Sequence, residues 1–262
     1  MSKTDFDLIV AGAGIVGIST ALWAQKEGLK TLICDPAPPG SGTTYGSACT
    51  IATYACIPVN SPTIFSALPH LLTSKDSPLS FNLAHGLKNP RWMLSFLNNC
   101  RPSRVKHVTQ ALGGFLRHAD SGLDPLISEA DAQDLIVSND CLYVWSSRSG
   151  FENAATSNAM RAEQGVEFDE LGPYDIRSLE PNLQQAMHRG LRFKGARHIT
   201  NPQELVHRMQ LRFEALGGTY LPQKIDRTKA DDTGVTAYLG DGTQIRGKHL
   251  AITAGAHSGL IK

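Results

Sequence analysis

A chain of 262 residues is long enough to bury a substantial core, as one large domain or two smaller ones. Its 25 Lys and Arg stand against 24 Asp and Glu, so no overall field draws it to nucleic acid or to acidic membranes. No apolar run reaches the roughly 20 residues that span a bilayer, and the first apolar stretch lacks a signal-peptidase pattern, so a cytoplasmic location is expected.

Five cysteines (Cys34, Cys49, Cys56, Cys100 and Cys141) form no CxxC pair, and the nine histidines form no HExxH pattern. Free thiols and no metal are expected.

Along the chain, Phe6–Ala11 is apolar and branched, as befits a strand buried on both faces. Gly12, Gly14 and Gly17 then give the GxGxxG spacing, with Ala13, Ile15 and Val16 in the same turn. The first glycine permits the tight turn, the second lets backbone approach a pyrophosphate, and the third lets the next helix pack on the strand. That helix, Ile15–Lys26, carries Ile15, Ile18, Leu22 and Gln25 at helical spacing and points its N-terminus at the phosphates; Gly28 suits its end. Residues 29–34 read as a second strand, closed by Asp35 and Pro36. A carboxylate there binds ribose hydroxyls and repels a 2′-phosphate, which disfavours NADP and leaves NAD and FAD open.

The segment 41–51 (SGTTYGSACTI) follows at once, and its small and hydroxyl residues suit a phosphate or flavin edge held by backbone amides. At this point the chain resembles the FAD-dependent D-amino-acid oxidase superfamily, within it the D-amino-acid dehydrogenase-like branch. Thr43, Thr44, Tyr45, Gly46, Ser47, Ala48 and Cys49 stand where that branch has TS-aromatic-x-N-A-G. Ser47 replaces the usual Asn, Cys49 the usual Gly, and Asp35 the commoner Glu. Gly46 occupies the place of the histidine that links flavin covalently in some relatives, so noncovalent FAD is implied. Residues 77–80 (SPLS), 90–97 (PRWMLSFL), 179–183 (LEPNL) and 251–258 (AITAGAHS) match the branch as well.

Pro58, Pro62, Pro69 and Pro78 favour loops and short helices after the flavin segment. Helices are expected at 89–98 and 102–127, the second with Val105, Val108, Leu112, Phe115 and Leu116 in register. Its basic cluster, Arg101, Arg104, Lys106 and His107, reads as a solvated face, with contact to anionic lipid or protein as the other reading. A strand at Cys141–Trp145, a helix near 152–164 and a strand at 192–198 come next. Asn201 and Pro202 open a helix whose Leu205, Met209 and Phe213 share a face and which Gly217 and Gly218 end. Strand patterns follow at 219–225, 235–239, 243–245 and 249–253, the middle two as a hairpin around Asp241 and Gly242.

The resemblance implies an α/β fold: a Rossmann-like FAD-binding domain from 1–55 and 198–262, with an inserted α+β substrate domain at 56–197. It places Ile225 against the adenine and Ala254 and Gly255 in the turn returning to the nucleotide. The implied reaction passes a hydride from the CH–NH bond of a D-amino acid to the flavin, and the imine hydrolyses to a 2-oxo acid and ammonia. No catalytic side chain is assigned. Alternatives are amine oxidation of the glycine or sarcosine type and a flavin-binding fragment without turnover, since relatives continue past the AITAGAHS turn for another domain. The implied partners are an amino acid and an electron acceptor, either oxygen or a quinone or respiratory chain, with peripheral contact at the inner face of the plasma membrane left open.

Overall fold

The computed structural model describes residues 5–60, 62, 88–183 and 186–262. The chain opens with β1 (Phe6–Ala11), α1 (Ile15–Lys26), β2 (Thr31–Cys34) and β3 (Thr50–Ile51). Helices α2 (Pro90–Asn99), α3 (Pro102–Leu116) and α4 (Ala119–Glu129) precede β4 (Ile136–Ser138) and β5 (Cys141–Trp145). Next come α5 (Arg148–Asn153), α6 (Ala155–Glu163), β6 (Phe168–Leu171), α7 (Pro173–Leu179), β7 (Arg189–Phe193), β8 (Arg197–Ile199) and α8 (Pro202–Ala215). Strands β9 (Thr219–Leu221), β10 (Ile225–Asp231), β11 (Gly234–Leu239) and β12 (Gln244–Ile252) close it.

These elements pack as two units. The first comprises Met1–Ile51, Asp120–Ser138 and Arg197–Lys262; the second comprises Ala52–Ala119 and Asn139–Ala196. Segment 120–138 packs in the first unit. Its Leu126, Ile127 and Leu135 are buried in the same core as Ile18, Leu22 and Phe213. Salt bridges fasten it there: Glu129 takes Lys26 of α1 and Arg212 of α8, and Arg197 reaches Asp120 and Asp124 at 2.6 Å each.

The first unit is a six-stranded sheet in the order β10-β11-β12-β1-β2-β9. β12, β1, β2 and β9 run parallel; β11 pairs antiparallel with both β12 and β10. Alternate side chains of a strand face opposite ways. Val10 and Ile33 therefore meet α1 and α8 through Ile18, Leu22, Leu205, Met209 and Phe213, while Ile9, Ala11, Leu32 and Cys34 meet Ile225 of β10, Ala237 and Leu239 of β11 and Ile245 of β12. Cover on both faces accounts for the unbroken apolar strands. Helix α8 begins as expected, the Asn201 side chain accepting from the Glu204 amide at 3.0 Å ahead of Pro202. A small antiparallel sheet, β3-β8-β4, completes this unit.

In the second unit, β5-β7-β6 form an antiparallel sheet around Tyr54, Leu191 and Phe193, with the Tyr54 and Phe193 rings stacked at 4.9 Å.

Several element boundaries differ from the sequence reading. The helix expected over 102–127 is two, because the buried stripe Val105, Thr109, Gly113 would next place the exposed Arg117 inward; α4 restarts in a new register. The helix near 152–164 is likewise split at Ala154 into α5 and α6. The run 192–198 is not one strand: Gly195, at φ +74°, turns the chain between β7 and β8, which belong to different sheets. The run 219–225 ends at Leu221, since Pro222 has no N–H for a ladder, and Ile225 opens β10. Conversely, 243–245 and 249–253 are joined in the single strand β12. The SPLS match at 77–80, with Pro69 and Pro78, lies outside the described residues.

Phe213 is fully buried at the centre of the α1–α8 core. Phe213→Ala is expected to lower the unfolding free energy by about 3–5 kcal/mol, read as a lower urea midpoint with an unchanged slope.

Candidate functional site

The glycine turn sits where β1 and β12 end side by side. Gly12 has φ +116°, which an L side chain rarely adopts, and a Cβ there would stand 2.7 Å from the Thr253 carbonyl oxygen. Thr253 fastens the contact: its amide donates to the Ala11 carbonyl at 2.8 Å, and its hydroxyl lies 3.0 and 3.1 Å from the carbonyls of Ala11 and Gly12. A Cβ on Gly17 would overlap the Gly12 carbonyl oxygen, so this residue sets how closely α1 approaches the strand end. At Gly14 the only atom near an added Cβ is Thr44 Oγ1, at 3.6 Å, so the space before the turn is open.

Asp35 anchors the turn from β2. Its Oδ2 accepts from the Ala13 amide at 2.7 Å and its Oδ1 from the Ala37 amide at 2.8 Å. Beneath it, Gly12 donates to the Cys34 carbonyl at 2.8 Å. Burial, reinforced by the charge of Asp35, pushes the Cys34 thiol up to about 12, so it stays neutral and adds no second negative charge here. Tyr220 donates toward the carbonyls of Asp35 (3.3 Å) and Ala37 (3.1 Å), and burial raises its own pKa.

The segment after β2 folds back onto the head of α1. Gly40 donates to the Ala13 carbonyl at 3.0 Å, and Thr44 Oγ1 accepts from the Ile15 amide at 3.1 Å. The amides of Gly14 and Val16 have no acceptor among the described residues; the first turn of α1 carries no acid, and Val16 is 63% exposed. An open helix N-terminus with unused amides beside a space that a Cβ would invade is what a pyrophosphate requires. The residues present therefore fit a dinucleotide.

Of the expected site residues, Gly12, Ala13, Gly14, Ile15, Gly17, Asp35, Thr44 and Ala254 are joined by these contacts, and Val16 stands beside them. Pro36 follows Asp35 on the surface. Thr43, Ser47 and Ala48 lie exposed along the turn after Gly40, and Gly255 opens a short 3-10 turn at φ +56°. Ile225 is a core residue of β10, packed with Leu239 and Cys34, and only its backbone is left to meet a ligand. Cys49 adopts φ +60°, which accounts for glycine at its position in the branch resembled. Sequence reasoning passed over Thr253 and Tyr220; a threonine closing an apolar strand before Ala-Gly was the available signal for the first. Among the described residues, no cluster of His, Cys, Asp and Glu could hold a metal ion, and no helix is long and apolar enough to cross a membrane.

Comparison with known proteins agrees with this geometry. A D-amino-acid oxidase of Bradyrhizobium diazoefficiens is 26% identical over 252 residues, covering 95% of this chain and 60% of the relative. D-amino acid dehydrogenase 2 of Ralstonia nicotianae is 29% identical over 180 residues, covering 67% and 42%. Among solved structures, glycine oxidase from Geobacillus kaustophilus superposes with a TM-score of 0.66 at 13% identity, over 98% of this chain and 57% of its own, which shows a shared fold. The chain thus spans about three fifths of the length of the first of these relatives. The family described as FAD dependent oxidoreductase matches residues 7–262, a span that takes in the glycine turn, α1 and the distant Thr253 clamp; the chain belongs to this family.

Proposed function

We propose that this chain holds FAD without a covalent bond, and that the protein oxidises the CH–NH bond of D-amino acids to give a 2-oxo acid and ammonia. The open head of α1, held between Thr253 and Asp35 in a chain of this family, carries the reading. The first unit is the nucleotide unit, and the second the substrate unit. Bound in the first, FAD would accept the two electrons of the substrate.

The chain's residues then divide the binding. The Gly14 and Val16 amides meet the pyrophosphate, with Ala13, Ile15 and Gly17 shaping the turn around it. The two backbone amides on Asp35 fix its carboxylate and leave lone pairs for ribose hydroxyls. Thr44 accepts from Ile15, so its own O–H is free to donate, and Thr43, Ser47 and Ala48 present a thin edge to the flavin end. Ile225 meets the adenine through its backbone; Ala254 and Gly255 bring the chain back without bulk. No side-chain base is assigned: with a flavin as acceptor, the protein's task is to orient the Cα–H bond and to admit the amine uncharged.

Acid precipitation is expected to leave yellow flavin in the supernatant, because Gly46 offers no side chain for a link; flavin retained on the pellet contradicts this. Asp35→Ala is expected to weaken FAD by about 1.5–3 kcal/mol, the scale of hydrogen bonds to a charged group, in a titration checked against the variant's thermal unfolding. In a dye-coupled assay over D- and L-amino acids, glycine and sarcosine, the protein is expected to release ammonia and 2-oxo acid from D-amino acids. Turnover of sarcosine alone would overturn the substrate class, and peroxide formed in air would assign oxygen over a quinone as acceptor.

A further inference from the structure

Three partly buried arginines are matched by acids: Arg197, Arg208 and Arg246, with side chains 17, 29 and 14% exposed, each reach a carboxylate. Arg161 of α6 does not. It too is half-buried, yet no Asp or Glu lies within salt-bridge distance of it among the described residues.

Aromatic rings and an amide stand around it instead. The guanidinium carbon lies 5.3 Å from the ring centre of Phe193 and 5.7 Å from that of Tyr143. These rings share one face of the β5–β7 pair, since Phe193 is opposite Cys141 and Tyr143 follows two residues along the same strand. One turn back on α6, Asn158 is 7% exposed, and its Oδ1 accepts from Arg161 Nη1 at 2.9 Å. Arg161 Nε is shut off from solvent and has no hydrogen-bond partner among the described residues. The buried Cys56 thiol does not serve as counterion: burial raises its pKa, against the opposing charge of Arg161, and keeps it neutral.

Ring faces offset part of a guanidinium's charge, but they are poor acceptors for its N–H groups. Asn158 uses its oxygen on Arg161, so its own Nδ2 has hydrogens left to donate. The cluster thus combines one positive charge, several donors and no acid, the pattern that a planar carboxylate completes through the guanidinium fork. We propose that Arg161 and Asn158 form a binding site, within the second unit, for the carboxylate of a small organic acid. Tyr143, 37% exposed, gives the acid's carbon chain an open apolar wall beside the cation. All of these residues lie in the second unit, so the proposal does not rest on the FAD reading.

The test is titration calorimetry of the 262-residue chain without added flavin. Propionate is expected to bind; propionamide, which keeps the shape without the charge, is not. Arg161→Lys keeps the charge but removes the fork, and is expected to weaken propionate roughly 10- to 100-fold at an unchanged unfolding temperature, the scale of hydrogen bonds to a charged group. Asn158→Asp sets an acid where Oδ1 now meets Nη1, and is expected to abolish propionate binding and raise the unfolding temperature at neutral pH. Competition with D-alanine assigns the source: displacement of propionate makes an amino acid the carrier of the carboxylate, and no displacement makes it a separate organic acid. Equal binding of propionate and propionamide, or undiminished binding by both variants, overturns the proposal and leaves the FAD reading standing. Displacement of propionate by equimolar chloride overturns it in favour of an inorganic anion.

Discussion

The first unit depends on one backbone contact, that of Gly12 with the Thr253–Ala254 turn. Two parallel strands end at the same level, and the chain leaving each must bend away within one residue. Any side chain at Gly12 would push the two ends apart, and any side chain at Gly17 would push α1 off them. Thr253 makes the closeness attractive as well as permitted, since its amide and hydroxyl serve the Ala11 and Gly12 carbonyls that the sheet itself leaves unserved. Buried backbone acceptors need such partners.

From that contact the rest of the site follows in order. With the turn held from the β12 side, Asp35 can hold it from the β2 side through the Ala13 amide, and the segment after β2 can reach back so that Thr44 meets Ile15. What remains is a helix N-terminus that α1 cannot satisfy by itself: amides at the positive end of a helix dipole and no acid in its first turn. The left-handed Cys49 lies at the end of this segment, where the chain turns toward β3. Its conformation is disfavoured for any residue with a Cβ, so the surrounding hydrogen bonds, such as Cys49 N–H to Ser47 Oγ at 3.3 Å, must hold it there.

Charge is handled differently in the two units. In the first, Arg197, Arg208 and Arg212 each find a carboxylate and tie α4 and the turn after it to α8 and the sheet. These are partly exposed pairs that fix register more than they add stability. In the second, the cations of α2 and α3 have no salt-bridge partner among the described residues, and Trp92 and Phe115 are exposed.

Local patterns were enough to recover the strand–turn–helix unit, the Asn201 cap of α8 and the hairpin at Asp241 and Gly242. Each of these is decided by neighbours within a few positions: period-two or helical spacing, a cap, a glycine where φ must be positive. Tertiary packing decided the rest. Residues 120–127 read as a continuation of α3 but fold with the first unit, because Leu126 and Ile127 share a buried core with α8, far away in sequence. The break in 192–198 and the fusion of 243–245 with 249–253 depend on which strand lies alongside, which no local window contains. Thr253 escaped notice for the same reason, since its value lies in two carbonyls more than 200 residues upstream. Asp35 was legible as an acid at a strand end, yet its anchoring of Ala13 appears only when β1 and β2 stand side by side. Short-range chemistry is written in composition and spacing, whereas pairing across the chain is settled by which surfaces, once formed, can bury one another.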